Sequence, residues 1–515
     1  MASISLSKNI GAIDFGPLDA RHAATHGQFD EELFSRVFID PSGIDLQEMA
    51  RGRKPFIYGI KGSGKSAALK YLEISLRKNC ECRFVYFSDT TREATATTTH
   101  NVEIPASELL QMKSPDEYWR SFVYVLIAKM MYEGKGSRSS RYLEFIRRQS
   151  TSAPGSFFER LRKAAPTVSH WAGELGRAPK AKIEGGTSTI ITAEEFFADA
   201  LSILSETRLP RKFYLFIDEV EIAFHSKEQF NRDVALGESL VRTIRDLNES
   251  FRKRNIDVFV CCAVRKELSD RILGGDSSKI ISDLGQEVSW QRPSWTYEDQ
   301  DYIHPLFQIA LRRIYFSQNS PQKVFGRDQE LAAIQQYFPF YTNGGPGTKG
   351  TQGQMLDLTT YRPRDISILF GAAKNFDRDR AEFRRETFFR LIRKPLKDAL
   401  WRDFSEALRA EFSVQQISIL SRILDKLPER FEFSDFLMAV DDFSSDPTVA
   451  AMIDNSSDAD WAEILRMLYT FGAVGNVEPG ERIEERYKFH FRGYTNGLLI
   501  ARGIQIVKQK ALVEA

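Results

Sequence analysis

Cysteine and histidine are scarce in this chain of 515 residues, which has four cysteines and seven histidines. The cysteines are Cys80, Cys82, Cys261 and Cys262, and no histidine cluster lies near them in the sequence. This spacing does not suit a metal centre or a disulfide framework. We therefore expect reduced cysteines in a cytoplasmic protein.

Long apolar runs and an excess of charge are also lacking. No run approaches the roughly 18 apolar residues of a membrane span, and residues 1–5 lack the basic-then-apolar pattern of a signal peptide. The formal net charge is +1, so nothing in the whole-chain charge predicts attraction to nucleic acid or membrane. The length predicts two or three domains, and we expect no membrane partner.

A phosphate-binding loop is the clearest motif that the chain does have. Residues 59–66 read Gly-x-x-x-x-Gly-Lys-Ser, between a short apolar strand and the start of a helix. Glycines let the backbone approach phosphate oxygens, and a helix N-terminus favours anions. Lys65 is expected to reach the β- and γ-phosphates of ATP, and the Ser66 hydroxyl to bind Mg²⁺. The predicted nucleotide-contacting residues of the loop are Gly59, Lys61, Gly62, Ser63, Gly64, Lys65, Ser66 and Ala67.

A second motif, Phe213-Tyr214-Leu215-Phe216-Ile217-Asp218-Glu219, predicts a buried parallel strand that ends in two carboxylates. Asp218 is expected to hold Mg²⁺, directly or through water. Glu219 is the expected catalytic residue that orients and polarises the attacking water, because phosphoryl transfer needs positioning and charge stabilisation. Such a strand alone is common. Because this strand follows the phosphate loop in the chain, the two motifs together indicate nucleotide binding and ATP hydrolysis.

Strands alternate with helices from residue 56 to residue 263, which predicts an α/β fold with a doubly wound parallel sheet. We predict an N-terminal cover segment over 1–50, a P-loop ATPase core over 51–290 and a helical lid over 291–400. A Gly-rich segment at 343–350 is interpreted as a linker. Residues 401–515 are predicted to form three helices followed by a β-hairpin, the order of a winged helix.

Two regions differ in charge from the rest of the chain. A helical insertion at 134–182 holds eleven Lys/Arg against three acidic residues, a net charge of +8. It is either a solvated basic face or a docking surface for an acidic partner or nucleic acid. Residues 401–515 hold 13 Lys/Arg against 19 Asp/Glu, the wrong sign for binding DNA phosphates. A predicted wing strand over 486–492, with Arg486, Lys488 and Arg492, leaves a local contact with DNA open. We expect an intramolecular or protein-contact role for this domain.

Two further motifs make the chain resemble P-loop ATPases of the STAND and AAA+ groups. Ala263-Val264-Arg265 resembles the end of the STAND sensor strand, and Arg362-Pro363-Arg364-Asp365 resembles the lid motif of these groups. The resemblance implies that Arg265, as a catalytic residue, and Arg364 approach the nucleotide. More closely, the chain resembles bacterial ATPases with an acidic winged helix that are often linked to defence against phage.

The chain departs from the STAND pattern at two points. Ala263-Val264 replaces the usual Thr-Thr pair, and no repeat array follows the winged helix. Three hypotheses stay open: an ATP-dependent switch acting through a protein effector or self-assembly, a DNA-binding ATPase of the origin-recognition type, and a scaffold with negligible turnover. Arg252 and Arg254 are the candidates for an arginine that acts on a neighbouring subunit.

Overall fold

The protein is described by a computed structural model, which covers residues 6, 8–17, 28–88, 101–105, 115–133, 140–150, 192–218, 227–266, 276–291, 303–345, 348–409, 412–450, 458–478, 486–492 and 497–513. Within these residues the strands form three sheets. The strands are β1 (Phe56–Gly59), β2 (Glu81–Ser88), β3 (Asn101–Pro105), β4 (Phe213–Ile217), β5 (Val258–Arg265), β6 (Gly285–Glu287), β7 (Gly344–Gly345), β8 (Thr348–Lys349), β9 (Arg430–Phe431), β10 (Val474–Glu478), β11 (Arg486–Lys488) and β12 (Ile506–Lys508).

The helices of the described residues surround these sheets. They are α1 (Gln28–Val37), α2 (Leu46–Ala50), α3 (Lys65–Leu76), α4 (Pro115–Glu133), α5 (Arg141–Ser150), α6 (Ala193–Glu206), α7 (Lys227–Lys253), α8 (Asp276–Leu284), α9 (Pro305–Phe316), α10 (Arg327–Tyr337), α11 (Thr351–Leu356), α12 (Pro363–Phe376), α13 (Arg393–Leu408), α14 (Val414–Lys426), α15 (Phe433–Asp441), α16 (Pro447–Ala450) and α17 (Asp458–Thr470). A π-helical turn, Thr387–Leu391, lies between α12 and α13.

The central sheet has six parallel strands in the order β3-β2-β4-β5-β1-β6. Side chains alternate across it: Leu215 and Ile217 face a cluster with α4, α6 and α7, whereas Phe216 faces a cluster with α3. Both faces are therefore buried, as the near-continuous apolar composition of β4 requires. The α/β, doubly wound P-loop fold predicted from the sequence is confirmed.

The second apolar cluster runs without interruption from the sheet into the C-terminal half of the chain. It includes Ile57 of β1, Phe370 of α12, Leu424 of α14 and Ile506 of β12. The N-terminal segment 8–17 joins the same cluster, where Phe15 stacks on Phe370 with ring centroids 5.3 Å apart. The helices of the predicted lid and of the C-terminal region thus pack directly on the central sheet and α3.

The C-terminal region, predicted to be a winged helix, contains three packed helices and a small sheet, and residues 486–492, where the wing was predicted, are called the wing. Helices α14, α15 and α17 pack together, and an antiparallel sheet in the order β11-β10-β12-β9 closes them. The exposed face of α17 carries Glu463, Arg466 and Thr470, and the first two form an ion pair of 3.1 Å.

The sequence interpretation missed several details. Strands β3, β9 and β12 were not predicted. Strand β9 has two residues and β12 has three, which are too few to show an alternating pattern in the sequence. The segment interpreted as a linker forms the β7–β8 hairpin and leads at once into α11. Strand β11 ends at Lys488, and residues 490–492 form a 3₁₀ turn where a longer strand was expected.

A candidate nucleotide site at the carboxyl edge of the sheet

The loop between β1 and α3 has the backbone that its glycines allow. Gly62 has φ of 79° and Gly64 has φ of 100°, and both lie in the region that residues with a side chain rarely adopt. Helix α3 begins at Lys65, directly after Gly64. The loop therefore turns sharply and delivers the first N–H groups of α3, which lack helical acceptors, to its own interior.

The carbonyls of the loop show which way its peptide groups face. Lys61 O accepts from Arg362 Nη1 at 3.0 Å, and Ser63 O accepts from Trp290 Nε1 at 2.7 Å. Gly62 O accepts from the backbone N–H of Arg364 at 3.4 Å. The N–H of Ser63 donates to Ile60 O at 3.2 Å. Because a trans peptide places C=O and N–H on opposite sides, the N–H groups of Gly62 and Gly64, which follow outward carbonyls, point into the loop. That is the orientation an anion-binding loop needs.

The two predicted catalytic and metal-binding side chains of α3 lie at the same place. The Lys65 amine donates to Gly59 O at 2.9 Å and Ile60 O at 3.1 Å, so it lies within the loop. The Ser66 hydroxyl donates to Asp218 Oδ1 at 3.0 Å. A hydroxyl and a buried carboxylate oxygen in contact are the hard oxygen ligands that Mg²⁺ prefers. The residues present fit the metal.

Sheet topology explains why residues 152 positions apart meet. Strands β1, β4 and β5 are parallel neighbours or next neighbours, so their carboxyl ends share one edge. Asp218 follows β4 and is 3% exposed. Arg265 ends β5 directly opposite Gly59 in the register and is 8% exposed. The geometry brings Asp218 and Arg265 to the phosphate loop, while Glu219 lies outside the described residues.

Arg362 and Arg364, at the start of α12, contact the loop between β1 and α3. Arg362 is buried, and its guanidinium bonds to both oxygens of Asp365 while reaching the loop at Lys61 O. Asp365 also accepts from Thr360 N and Thr360 Oγ1, both at 2.7 Å. This network fixes the start of α12 over the loop. A Cβ built on Gly62 would lie 2.9 Å from the Cβ of Arg364, so Arg364 packs directly against the loop.

Three functional candidates were missed by sequence reasoning: Asp403, Glu406 and Trp290. Asp403 Oδ1 lies 3.5 Å from Arg364 Nη1, and Glu406 pairs with Lys61. Both carboxylates are on α13, one turn apart. Nothing in the local sequence marked them, because the contact depends on how the lid folds back over the core.

The wing of the C-terminal domain also reaches this edge. Gln291 Nε2 donates to Phe491 O at 2.7 Å, one residue after the Trp290 that holds the loop. His490 packs edge-on against Tyr469, with ring centroids 5.8 Å apart, and it lies within electrostatic range of Lys266, the residue after β5, which pairs with Glu287. Burial first, and then the Lys266 charge, lower the pKa of His490 from its ordinary value, while Glu287 opposes them.

The structure describes part of the basic insertion and both candidates for an arginine that acts on a neighbouring subunit. Of the basic insertion 134–182 the structure describes residues 140–150, where Arg141 pairs with Glu206 and Arg148 with Glu144. The remainder lies outside the described residues. Arg252 lines a cavity of about 350 Å³ beside Pro55, at the amino edge of the sheet and away from the phosphate loop of its own chain. Arg254 is exposed at the end of α7.

The cysteines agree with the prediction of reduced thiols. All four are free and buried, and burial raises the pKa of Cys261 to about 12. Among the described residues no group of His, Cys, Asp and Glu has the arrangement of a metal cluster. In the described part of the chain, every helix is too short or too polar to span a bilayer.

No protein-family model and no curated protein matches this sequence. Among solved structures the chain is similar to the crystal structure of Cdc6p from Pyrobaculum aerophilum. The identity is 10% and the TM-score 0.31, over 99% of this chain and 95% of that one. A similarity of this size carries no argument about function, so the following proposals rest on the site itself.

Proposed function

We propose that this chain is an ATP-binding and ATP-hydrolysing molecular switch of the STAND/AAA+ type. The observation that carries the proposal is the meeting of Lys65, Ser66 and Asp218 inside one glycine loop at the sheet edge. Lys65 neutralises phosphate charge, and the loop N–H groups bind phosphate oxygens. Ser66 and Asp218 hold Mg²⁺, which when bound neutralises charge on the phosphates.

The remaining roles follow from position. Arg265 projects from the strand beside the loop and acts on the phosphates, and Arg364 closes the site from the lid. Glu219 follows Asp218 in the sequence and orients the attacking water. Hydrolysis resets a lid and winged helix that respond to nucleotide. The outputs are a protein effector or self-assembly, and the resemblance to bacterial ATPases implies a role in defence against phage.

The test is nucleotide binding and turnover with purified protein. Lys65→Ala is expected to abolish Mg·ATP binding, because it removes the cation inside the loop, whereas the exposed Lys78→Ala serves as the matched control. Glu219→Gln is expected to bind ATP and not turn it over. Intact affinity in Lys65→Ala would show that the site assignment is wrong, and binding without turnover in the wild type would favour the scaffold hypothesis.

The second candidate is a DNA-binding ATPase of the origin-recognition type, favoured by the order of core, lid and winged helix. The charge of the winged helix opposes it: on α17 the one exposed arginine, Arg466, is paired with Glu463, and on the wing Lys488 is paired with Glu478. Turnover and mass measured with and without double-stranded DNA separate the two. Strong, salt-dependent stimulation by DNA would put this candidate first.

A further inference from the structure

A pair of carboxylates on α13 faces the mouth of the phosphate loop. Asp403 and Glu406 are three residues apart, so they lie on one face of the helix. Glu406 pairs with Lys61 of the loop, and Asp403 contacts the lid arginines Arg362 and Arg364. Acidic side chains beside an anion-binding loop oppose the charge of its proposed ligand, and α13 packs in the apolar core through other residues, Leu396, Leu400, Phe404 and Leu408.

The two carboxylates differ in how strongly they can interact with the cations beside them. The Glu406 side chain is 41% exposed, and an ion pair so open to water contributes little. The Asp403 side chain is 7% exposed, and electrostatic interactions are stronger in such a site. Asp403 is therefore the carboxylate with the larger influence on the arginines.

The contact between Asp403 and Arg364 is incompletely satisfied. Arg364 Nη1 lies 3.5 Å from Asp403 Oδ1, and Arg364 Nε is buried without a hydrogen bond in the described part of the chain, whereas Asp403 Oδ2 has an ion-pair contact with Arg362 Nη2. An Arg364 guanidinium held in this way gains hydrogen bonds when it turns to phosphate oxygens. If Arg364 moves, Asp403 keeps Arg362 Nη2 at 3.2 Å, so the buried carboxylate is not left without a cation.

We propose that Asp403, assisted by Glu406, competes with the nucleotide phosphates for Arg364 and Lys61 and so latches the lid over the empty loop. Nucleotide binding breaks the latch. Five residues separate the end of α13 from the start of α14, so release of the α13 carboxylates acts on the helix that leads into the C-terminal domain. The inference rests on the proposed nucleotide site and adds an autoinhibitory contact to it.

The test measures Mg·ATP affinity in wild type, Asp403→Asn, Glu406→Gln and Asp398→Asn. Asp403→Asn is expected to bind about fivefold more tightly or better, the lower range of a coupling between sites. Glu406→Gln is expected to change affinity by less than about twofold. Asp398 is exposed on the same helix, and its variant is the matched control with unchanged affinity. Equal or weaker binding by Asp403→Asn would overturn the proposal.

A double-mutant cycle with Arg364→Met shows whether the effect passes through Arg364. In the Arg364→Met background, Asp403→Asn is expected to change affinity no further. A gain of the same size in both backgrounds would mean that Asp403 acts elsewhere, and the proposed competition would be wrong.

A second measurement uses no nucleotide. Hydrogen exchange in residues 397–409 is expected to be faster in nucleotide-free Asp403→Asn than in Asp398→Asn, because the latch is open; unchanged exchange contradicts the latch. If neither wild type nor Asp403→Asn binds Mg·ATP, the proposed function and the competition both fail. Binding with equal affinity in all four proteins refutes the competition alone.

Discussion

At the scale of single residues, the loop contains a glycine position that has no room for a side chain. Gly62 combines φ of 79° with a Cβ position 2.9 Å from Arg364 Cβ. We expect Gly62→Ala to cost about 1–2 kcal/mol for the left-handed backbone and to push the lid from the loop. Thermal unfolding and hydrogen exchange of the start of α12 would show both effects.

The matched control for that substitution lies in the lid itself. Gly371 is within α12, and a Cβ there would meet nothing within 4 Å. Gly371→Ala is expected to stabilise the helix by about 0.5–1 kcal/mol, because alanine loses less backbone entropy in a helix. If both variants lowered the unfolding temperature equally, steric contact with Arg364 would not be the cause.

Trp290 offers a second prediction at this scale. Its indole N–H donates to Ser63 O at 2.7 Å, and the ring is 5% exposed. Trp290→Phe leaves that carbonyl without its donor, which is expected to cost about 1–3 kcal/mol and to loosen the loop. Trp401→Phe removes an indole elsewhere. Exchange rates in residues 59–66 should rise only in Trp290→Phe.

These residues also show what the sequence can and cannot predict. Lys65, Ser66 and Asp218 were predictable, because their spacing and the apolar strand before Asp218 carry the chemistry locally. Asp403 and Trp290 were not, since each contacts the loop from a distant segment and no local pattern records that contact. Arg362 was predicted only as part of a lid motif, whereas its bond to Lys61 O requires the closed lid.

At the scale of elements, the sequence predicted the start of a helix well where a complete capping motif is present. The spacing Thr192-x-x-Glu195 in the sequence predicts a capping box. The structure has this box, and α6 begins directly after Thr192. Strands β9 and β12 were missed because two or three residues give no readable alternation. Their pairing comes from tertiary packing against α14 and α15.

The cap of α6 gives the prediction at this scale. Thr192→Ala removes the acceptor for Glu195 N, and we expect the helix to lose about 1 kcal/mol of local stability. Hydrogen exchange in residues 193–206 measures it. Thr207→Ala, at the other end of α6, is the control and should cost less, because a helix-end carbonyl can bond to water when the threonine hydroxyl is removed.

At the scale of the whole molecule, a histidine lies next to the residue through which the wing contacts the core. Burial and Lys266 hold the pKa of His490 below its ordinary value near 6.5, so the folded protein favours the neutral ring. The unfolded chain therefore binds more protons below about pH 6.5. The stability from this site is complete above the unfolded pKa and is lost as the pH falls from there toward the folded pKa.

We expect docking of the wing on the end of β5 to weaken below about pH 6.5, as protonated His490 meets Lys266. Hydrogen exchange of residues 486–492 at pH 7.5 and pH 5.5, corrected for intrinsic rates, measures it. In His490→Gln the difference between the two pH values should disappear. Lys266→Met should raise the pKa of His490 and Glu287→Gln should lower it, since their charges act in opposite directions. If neither variant shifted the pKa of His490, burial alone would set it, and the wing would then not sense the charge at the end of the β5 strand.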